Sequence, residues 1–247
     1  MSIQENKNLN ILIPMAGAGS RFSQVGYTLP KPLITIQGKP MIEQAVNSLG
    51  VKGNYIFITQ KIHNLKPHLE SVYPGCKVIE IDYLTRGSAC TCLLAKEYID
   101  NDSPLVITNC DQIMWWDGKS FATFLKNYPY DGFVVTYTED TPKNSYVVLN
   151  REGFATQFAE KQVISNISLN GIHYWRYGKD FVHSTETMVK NNETYNGEFY
   201  VAPTYNTLIK QNKKIGVYHI PNDQHNAVGT PEDLIKYTDR VYEYENR

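Results

Sequence analysis

An apolar run from Asn10 to Pro14 opens directly into a glycine-rich turn, Ala16-Gly17-Ala18-Gly19-Ser20-Arg21, and that junction limits what the chain can fold into. Side-chain-free positions after a strand let the main chain close around an oxyanion and aim several N–H groups at it. A second cationic turn, Pro30-Lys31-Pro32-Leu33, follows, and Gly38-Lys39-Pro40-Met41-Ile42 then starts a predicted helix. Arg21 and Lys31 supply fixed positive charge of the kind a polyphosphate requires. An ordinary strand-to-helix turn with incidental glycines would not bring these cations, so the spacing favours a nucleotide site. The loop is not a P-loop, because Ser20-Arg21-Phe22 stands where Lys-Ser/Thr should follow the last glycine. It also lacks the third glycine and distant acid of a dinucleotide fingerprint.

Val- and Ile-rich runs alternate with helical segments through the first half. Strands are predicted near Leu9–Pro14, Tyr55–Thr59, Lys77–Ile81 and Pro104–Thr108, and helices near Pro40–Leu49, Ile62–Val72 and Ser88–Ile99. Such alternation predicts a parallel sheet covered on both faces. Ligands of these sheets bind beyond the carboxyl ends of the strands. The Gly17–Arg21 turn and Thr108-Asn109-Cys110-Asp111 each follow a strand, so both belong at one crevice. After Asp111 the texture changes. Residues 132–138, 146–150, 154–159 and 168–174 read as antiparallel strands. A helix from Gly178 to Lys190, another near Pro203–Gln211, a strand Ile215–Ile220 and a last helix from Pro231 follow. Thr230-Pro231-Glu232-Asp233 gives that helix a cap, a proline in its first turn and two acids. The expected fold class is α/β, a single Rossmann-like domain over 1–247 with a mixed, mostly parallel sheet and helices on both faces. Residues 1–115 are expected to form the nucleotide-binding half and 116–247 the acceptor-binding half.

With 24 basic and 25 acidic residues the net charge is −1, which argues against a nucleic-acid or membrane-surface partner. Phosphate recognition must then be local. The apolar runs are strand-sized, and residues 1–8 are polar and lack the apolar core of a signal peptide. The four cysteines have no zinc spacing and read as reduced thiols, so the expected compartment is the cytoplasm.

The stretch from Ile11 to Ile42 resembles the N-terminal signature of the sugar-phosphate nucleotidyltransferases, the nucleotide-sugar pyrophosphorylases, and in particular their short capsule-associated members. The resemblance implies the nucleotide-diphospho-sugar transferase fold and a triphosphate held by Ala16, Gly17, Ala18, Gly19, Ser20, Arg21 and Lys31. Asn109-Cys110-Asp111-Gln112 resembles the family's metal motif, making Asp111 the ligand of Mg2+, with Mn2+ as the alternative. A second acid is usual late in the family, and Ala227 stands in its place in Asn226-Ala227-Val228-Gly229-Thr230. The expectation is a single-acid site, with Asp223 as a fallback ligand. Gln60 and the Gly87-Ser88 pair resemble the family's base-reading positions, although Gln60 could equally be a solvated strand end. Glu160-Lys161 resembles the pair in which the lysine clamps the acceptor phosphate and the glutamate takes acceptor hydroxyls. Asn170-Gly171 and Glu198, in Asn196-Gly197-Glu198-Phe199-Tyr200, are the remaining acceptor positions. Val147 replaces a glycine common in hexose-specific members, hinting at a smaller or differently shaped acceptor. Trp115-Trp116 reads as core packing ahead of a pocket wall.

The expected reaction is nucleotidyl transfer, with Arg21, Lys31 and Lys161 as the catalytic cations. CTP is the favoured nucleotide, with dTTP or UTP as alternatives, and the acceptor is a sugar 1-phosphate or a phosphorylated non-sugar. A homo-oligomer is compatible with this reading. A nucleotide-sugar-dependent glycosyltransferase and a non-catalytic nucleotide-binding subunit are the rival readings.

Overall fold

The computed structural model describes residues 5–246. Its centre is one nine-stranded sheet. Seven strands follow one another in the order Ala155–Glu160, Ser145–Leu149, Ile167–Trp175, Leu105–Ile107, Glu5–Met15, Lys52–Gln60, Lys77–Ile81. Gly132–Thr138 branches off Ile167–Trp175 and pairs in turn with Ile215–His219. The strands from Leu105–Ile107 to Lys77–Ile81 pair in parallel, while Ile167–Trp175 runs antiparallel to its neighbours. The sheet is therefore mixed, as the change of texture after Asp111 implies.

Side chains of a strand alternate between faces, and here both faces are apolar. Leu12, Ile56, Ile58, Leu105 and Ile107 pack on one side against the helices Ser88–Leu93, Lys96–Ile99 and Gly178–Lys190. Ile11, Ile13, Phe57 and Val106 pack on the other against Met41–Ser48 and Gly118–Asn127. Burying one such side chain contributes about 1.5–3 kcal/mol against about 1 for a hydrogen bond. The two apolar layers thus hold the sheet, and polar residues at its edge are free to serve a ligand. A third, smaller core joins Phe22, Ile34, Ile36 and Met41 to Ile113, Val228 and the last helix through Leu234, Tyr237 and Val241. It staples the glycine-rich region to the segment that carries Asp111.

Three local expectations need correction. The segment predicted as one helix over Ser88–Ile99 is broken into Ser88–Leu93 and Lys96–Ile99, because Ala95 leaves helical geometry at φ −88, ψ 11. The helix Gly118–Asn127 was not expected; Asp117 caps it by accepting from the backbone N–H groups of Lys119 and Ser120. Val147 does not narrow a binding site, since it is fully buried in the core beside Phe158. Trp116 packs as expected, stacked 4.3 Å from Phe121 with its indole N–H on the Ser48 carbonyl.

Candidate active site

A cleft of about 1120 Å³ opens along the carboxyl edge of the parallel strands and across the antiparallel half. Arg21, Ser88 and Asp111 line it from one half of the chain, and Glu160, Asn170, Gly171 and Tyr200 from the other.

At the first end the glycine-rich turn leaves the Glu5–Met15 strand and enters the short helix Ser20–Ser23. Gly19 takes left-handed geometry at φ 61, where a side chain would be strained, and a Cβ there would lie 3.6 Å from Cβ of Lys31. The turn is thus pressed against the Pro30–Leu33 segment. Gln60 is not a solvated strand end. It is buried and donates from Nε2 to the carbonyls of Ala16 at 2.7 Å and Tyr83 at 3.0 Å. This bracing fixes the base of the turn and leaves only Oε1 for a ligand.

Lys31 reaches Asp111, with Nζ 2.6 Å from Oδ2. The side chains remain 20% and 22% exposed, so a ligand can still touch both. Burial disfavours charge on either partner, but each overrides it for the other. Asp111 holds the Lys31 ammonium well above the usual lysine range. Lys31, with help from Arg21, holds the Asp111 carboxyl below its usual range. The pair is ionic and the Arg21 charge falls on the same spot.

The surroundings of Asp111 explain its position. Its carbonyl accepts from the N–H of Val228 at 2.8 Å, next to the antiparallel ribbon of Gln112–Met114 with His225–Ala227. A Cβ on Gly229 would lie 2.6 Å from Asp111 Oδ2, so only glycine leaves the carboxylate its place. Ala227 pairs with Gln112 and lines the cleft beside Asp111, where a second acid would stand. Asp223 does not replace it: that residue lines a separate cavity of about 750 Å³ with Trp115 and Tyr244. Among the described residues no group of three or more His, Cys, Asp or Glu is placed to hold a metal. The donor set that fits a divalent cation is Asp111 with phosphate oxygens and waters, which suits magnesium.

Gly87 serves a purpose other than expected. At φ 113 its missing Cβ makes room for the Phe199 backbone, whose carbonyl would lie 2.4 Å away. Hydrogen bonds from Phe199 N–H to the Arg86 carbonyl, and from Ala89 N–H to the Phe199 carbonyl, tie the halves together there. The space expected for a base edge is taken by protein, while Ser88 next to it does face the cleft.

At the other end Glu160 is buried and accepts from the Ser145 hydroxyl across the strand pair. Burial pushes its carboxyl above the usual range, although Ser145 and Lys161 pull the other way. Lys161 sits at φ 52 and donates to the Tyr200 hydroxyl at 2.8 Å. That hydrogen bond, reinforced by nearby carboxylates, raises its affinity for the proton. Tyr200 in turn donates to Glu198. Glu198 is presented by a tight turn in which Asn196 and Gly197 both have positive φ, the geometry that Asn-Gly favours. Gly171 lies at a register shift of the Ile167–Trp175 strand, at φ 96, beneath the Asn109 side chain. Asn170 braces that irregularity by accepting from the Ile172 N–H.

Arg21 and Asp111 line the cleft, whereas Lys31 and Lys161 are not among its lining residues and reach it only through their hydrogen-bond partners, Lys31 through Asp111 and Lys161 through Tyr200. Tyr137, Lys143, Ser145 and Tyr200 also line it and were not singled out from sequence. Ser145 had a signal, since it stands opposite Glu160 once the two strands are paired in register.

A family model described as "Nucleotidyl transferase" matches residues 11–243. The chain belongs to that family. It is 30% identical over 181 residues to a mannose-1-phosphate guanyltransferase of Schizosaccharomyces pombe, covering 67% of this chain and 49% of the relative. It is 31% identical over 101 residues to a 2-aminoethylphosphonate cytidylyltransferase of Lancefieldella rimae, covering 39% of this chain and 41% of the relative. Each match thus spans about half or less of the curated relative. Among solved structures, the nucleoside-diphosphate-sugar pyrophosphorylase from Vibrio cholerae RC9 superposes with a TM-score of 0.79 at 25% identity, over 93% of this chain and 98% of that one. The fold is that of these nucleotidyl transferases, and no helix among the described residues is long and apolar enough to cross a membrane.

Proposed function

We propose that this nucleotidyl transferase joins a nucleoside triphosphate, CTP in preference to dTTP or UTP, to a small phosphorylated acceptor with release of pyrophosphate. The observation that carries the reading is charge convergence: Arg21 lines one cleft large enough for two anionic substrates, and Lys31 and Lys161 are each hydrogen-bonded to a residue that lines it, Asp111 and Tyr200. An oxygen of the acceptor phosphate attacks the α-phosphorus in line, and the bond from that phosphorus to the oxygen bridging to the β-phosphate breaks. The bridging oxygen leaves with pyrophosphate, so no covalent enzyme intermediate is required. The protein has to place two anions together and neutralise them.

In this reading residues 1–115 hold the nucleotide and 116–247 the acceptor. Residues 16–20 present N–H groups to the triphosphate, Arg21 steadies the leaving phosphates, and Lys31 attends the α-phosphate. Gln60 Oε1 and Ser88 are the base-facing polar groups. Asp111 would hold a Mg2+ (or Mn2+) ion, which when bound neutralises phosphate charge. Lys161 clamps the acceptor phosphate, and Glu160, Asn170, Gly171 and Glu198 contact the rest of the acceptor. The similarity to a cytidylyltransferase supports CTP. We further propose a role in capsule or surface-polysaccharide synthesis, in the cytoplasm, from the resemblance of residues 11–42 to short capsule-associated members. Pyrophosphate release, measured with each nucleoside triphosphate against sugar 1-phosphates, phosphocholine and 2-aminoethylphosphonate, tests the reading. Silence across that panel with magnesium present would rule it out.

A further inference from the structure

The acceptor end holds a contact pattern that these roles leave unexplained. Lys161 feels the charges of both Glu160 and Glu198. Yet it forms no ion pair with either, nor with any acid among the described residues. Its Nζ lies instead 2.8 Å from the Tyr200 hydroxyl and 4.6 Å from the centroid of that ring. The same hydroxyl donates to Glu198. One phenol thus bridges a cation and an acid.

The chain supports this insertion from two sides. Lys161 adopts left-handed backbone geometry directly after buried Glu160, with its N–H on the Asn144 carbonyl. A lysine at φ 52 is uncommon and persists where surrounding contacts dictate it. On the other side the Asn196-Gly197 turn returns the chain so that Glu198 and Tyr200 face Lys161 together.

We infer that Tyr200 is a positioning residue whose hydroxyl keeps the Lys161 ammonium apart from Glu198 and so available to the phosphate of the acceptor. The inference rests on the reading of Lys161 as the acceptor-phosphate clamp. An arriving phosphate takes over the Lys161 donor from the Tyr200 oxygen. Tyr200 goes on donating to Glu198, which shields the phosphate from that carboxylate. A phenylalanine would keep the ring but lose the separation, leaving Lys161 to pair with Glu198.

Inorganic phosphate is the probe, titrated into the full-length protein and followed by 31P NMR and calorimetry. It carries no acceptor hydroxyls, so the role of Glu198 toward those groups does not enter. The phosphate site lost in Lys161→Ala defines the station under test. Tyr200→Phe should weaken that site about tenfold. Tyr200→Phe/Glu198→Gln should return it to within about twofold of wild type, because no acid remains to capture the lysine. An unchanged affinity in Tyr200→Phe overturns the inference. So does an equal loss in the double variant, which would mean that the hydroxyl touches phosphate itself. Retention of every phosphate site in Lys161→Ala would locate the fault in the Lys161 reading and take the inference down with it. Unfolding midpoints of all variants confirm that the fold is intact.

Discussion

The two ends of the cleft handle a lysine and a carboxylate in opposite ways. At the end beside the glycine-rich turn Lys31 and Asp111 are in direct contact at 2.6 Å, each holding the other ionised against burial. At the other end a tyrosine stands between Lys161 and Glu198, and Glu160 accepts a hydrogen bond from Ser145 without a salt bridge to a cation. The difference follows from burial. An unpaired charge is costly in the shielded pocket of Asp111, so the ends of that pair must neutralise each other until a ligand supplies other charges. Lys161 is more open to water and can be left unpaired, ready for an anion. One end holds its charges paired, and the other holds its lysine on a neutral hydroxyl.

The sharpest way to break this contrast is Lys31→Ala. It should lower kcat for pyrophosphate release about 100- to 1000-fold. It should also cost roughly 1–3 kcal/mol of unfolding free energy, since Asp111 loses its partner. Denaturant unfolding would reveal whether Lys31→Ala/Asp111→Ala regains that stability, as a neutralising pair requires. Lys161→Ala comes next: an increase in acceptor KM of about tenfold or more, with nucleotide KM and the unfolding midpoint near wild type. A stability loss as large as that of Lys31→Ala would erase the distinction drawn here.

Ala227→Asp should tighten Mg2+ binding about tenfold in calorimetry, because it adds a carboxylate beside Asp111 where magnesium can use two. Weaker or unchanged binding would show that position 227 does not face the ion.

The smallest effect is a difference in sign on acidification. Asp111 has a depressed pKa, so its contribution to stability is full above the ordinary carboxylate value of 3.8 and is lost as pH falls through the lower folded value. Glu160 has a raised pKa, so its ionised form costs stability at neutral pH, and that cost disappears below 4.5, where the carboxyl is protonated in both states. Glu160→Gln should therefore be more stable than wild type at pH 7 and equal to it at low pH. Asp111→Asn should be less stable at pH 7, with the gap closing on acidification. Urea midpoints across pH 3–7 compare the two, and gaps of the same sign would contradict the opposite shifts.

Much of the fold can be read in the residues. Ile11, Leu12 and Ile13 form an unbroken apolar run because the central strand is buried on both faces. Thr230 caps its helix by accepting from the Asp233 N–H as its sequence context predicts. The Gly118–Asn127 helix escaped because tryptophans and a glycine crowd its start, although Asp117 two positions before Lys119 was a usable sign. Val147 misled for another reason. A residue on a strand faces either core or cleft, and register, which no single strand discloses, decides between them.

By itself the sequence determined which chemical groups exist: a glycine-rich turn with two cations, one acid after a buried strand, a Glu-Lys pair and an alanine in place of a second acid. Local rules suffice for these, because strand periodicity, turn geometry and helix caps involve neighbours in the chain. Tertiary structure alone decided who touches whom. Lys31 meets Asp111, Gly87 yields its space to Phe199, Gln60 spends its amide on the glycine-rich turn, and Tyr200 comes between Lys161 and Glu198. Such contacts join residues distant along the chain, and packing of the sheet and its three cores selects them.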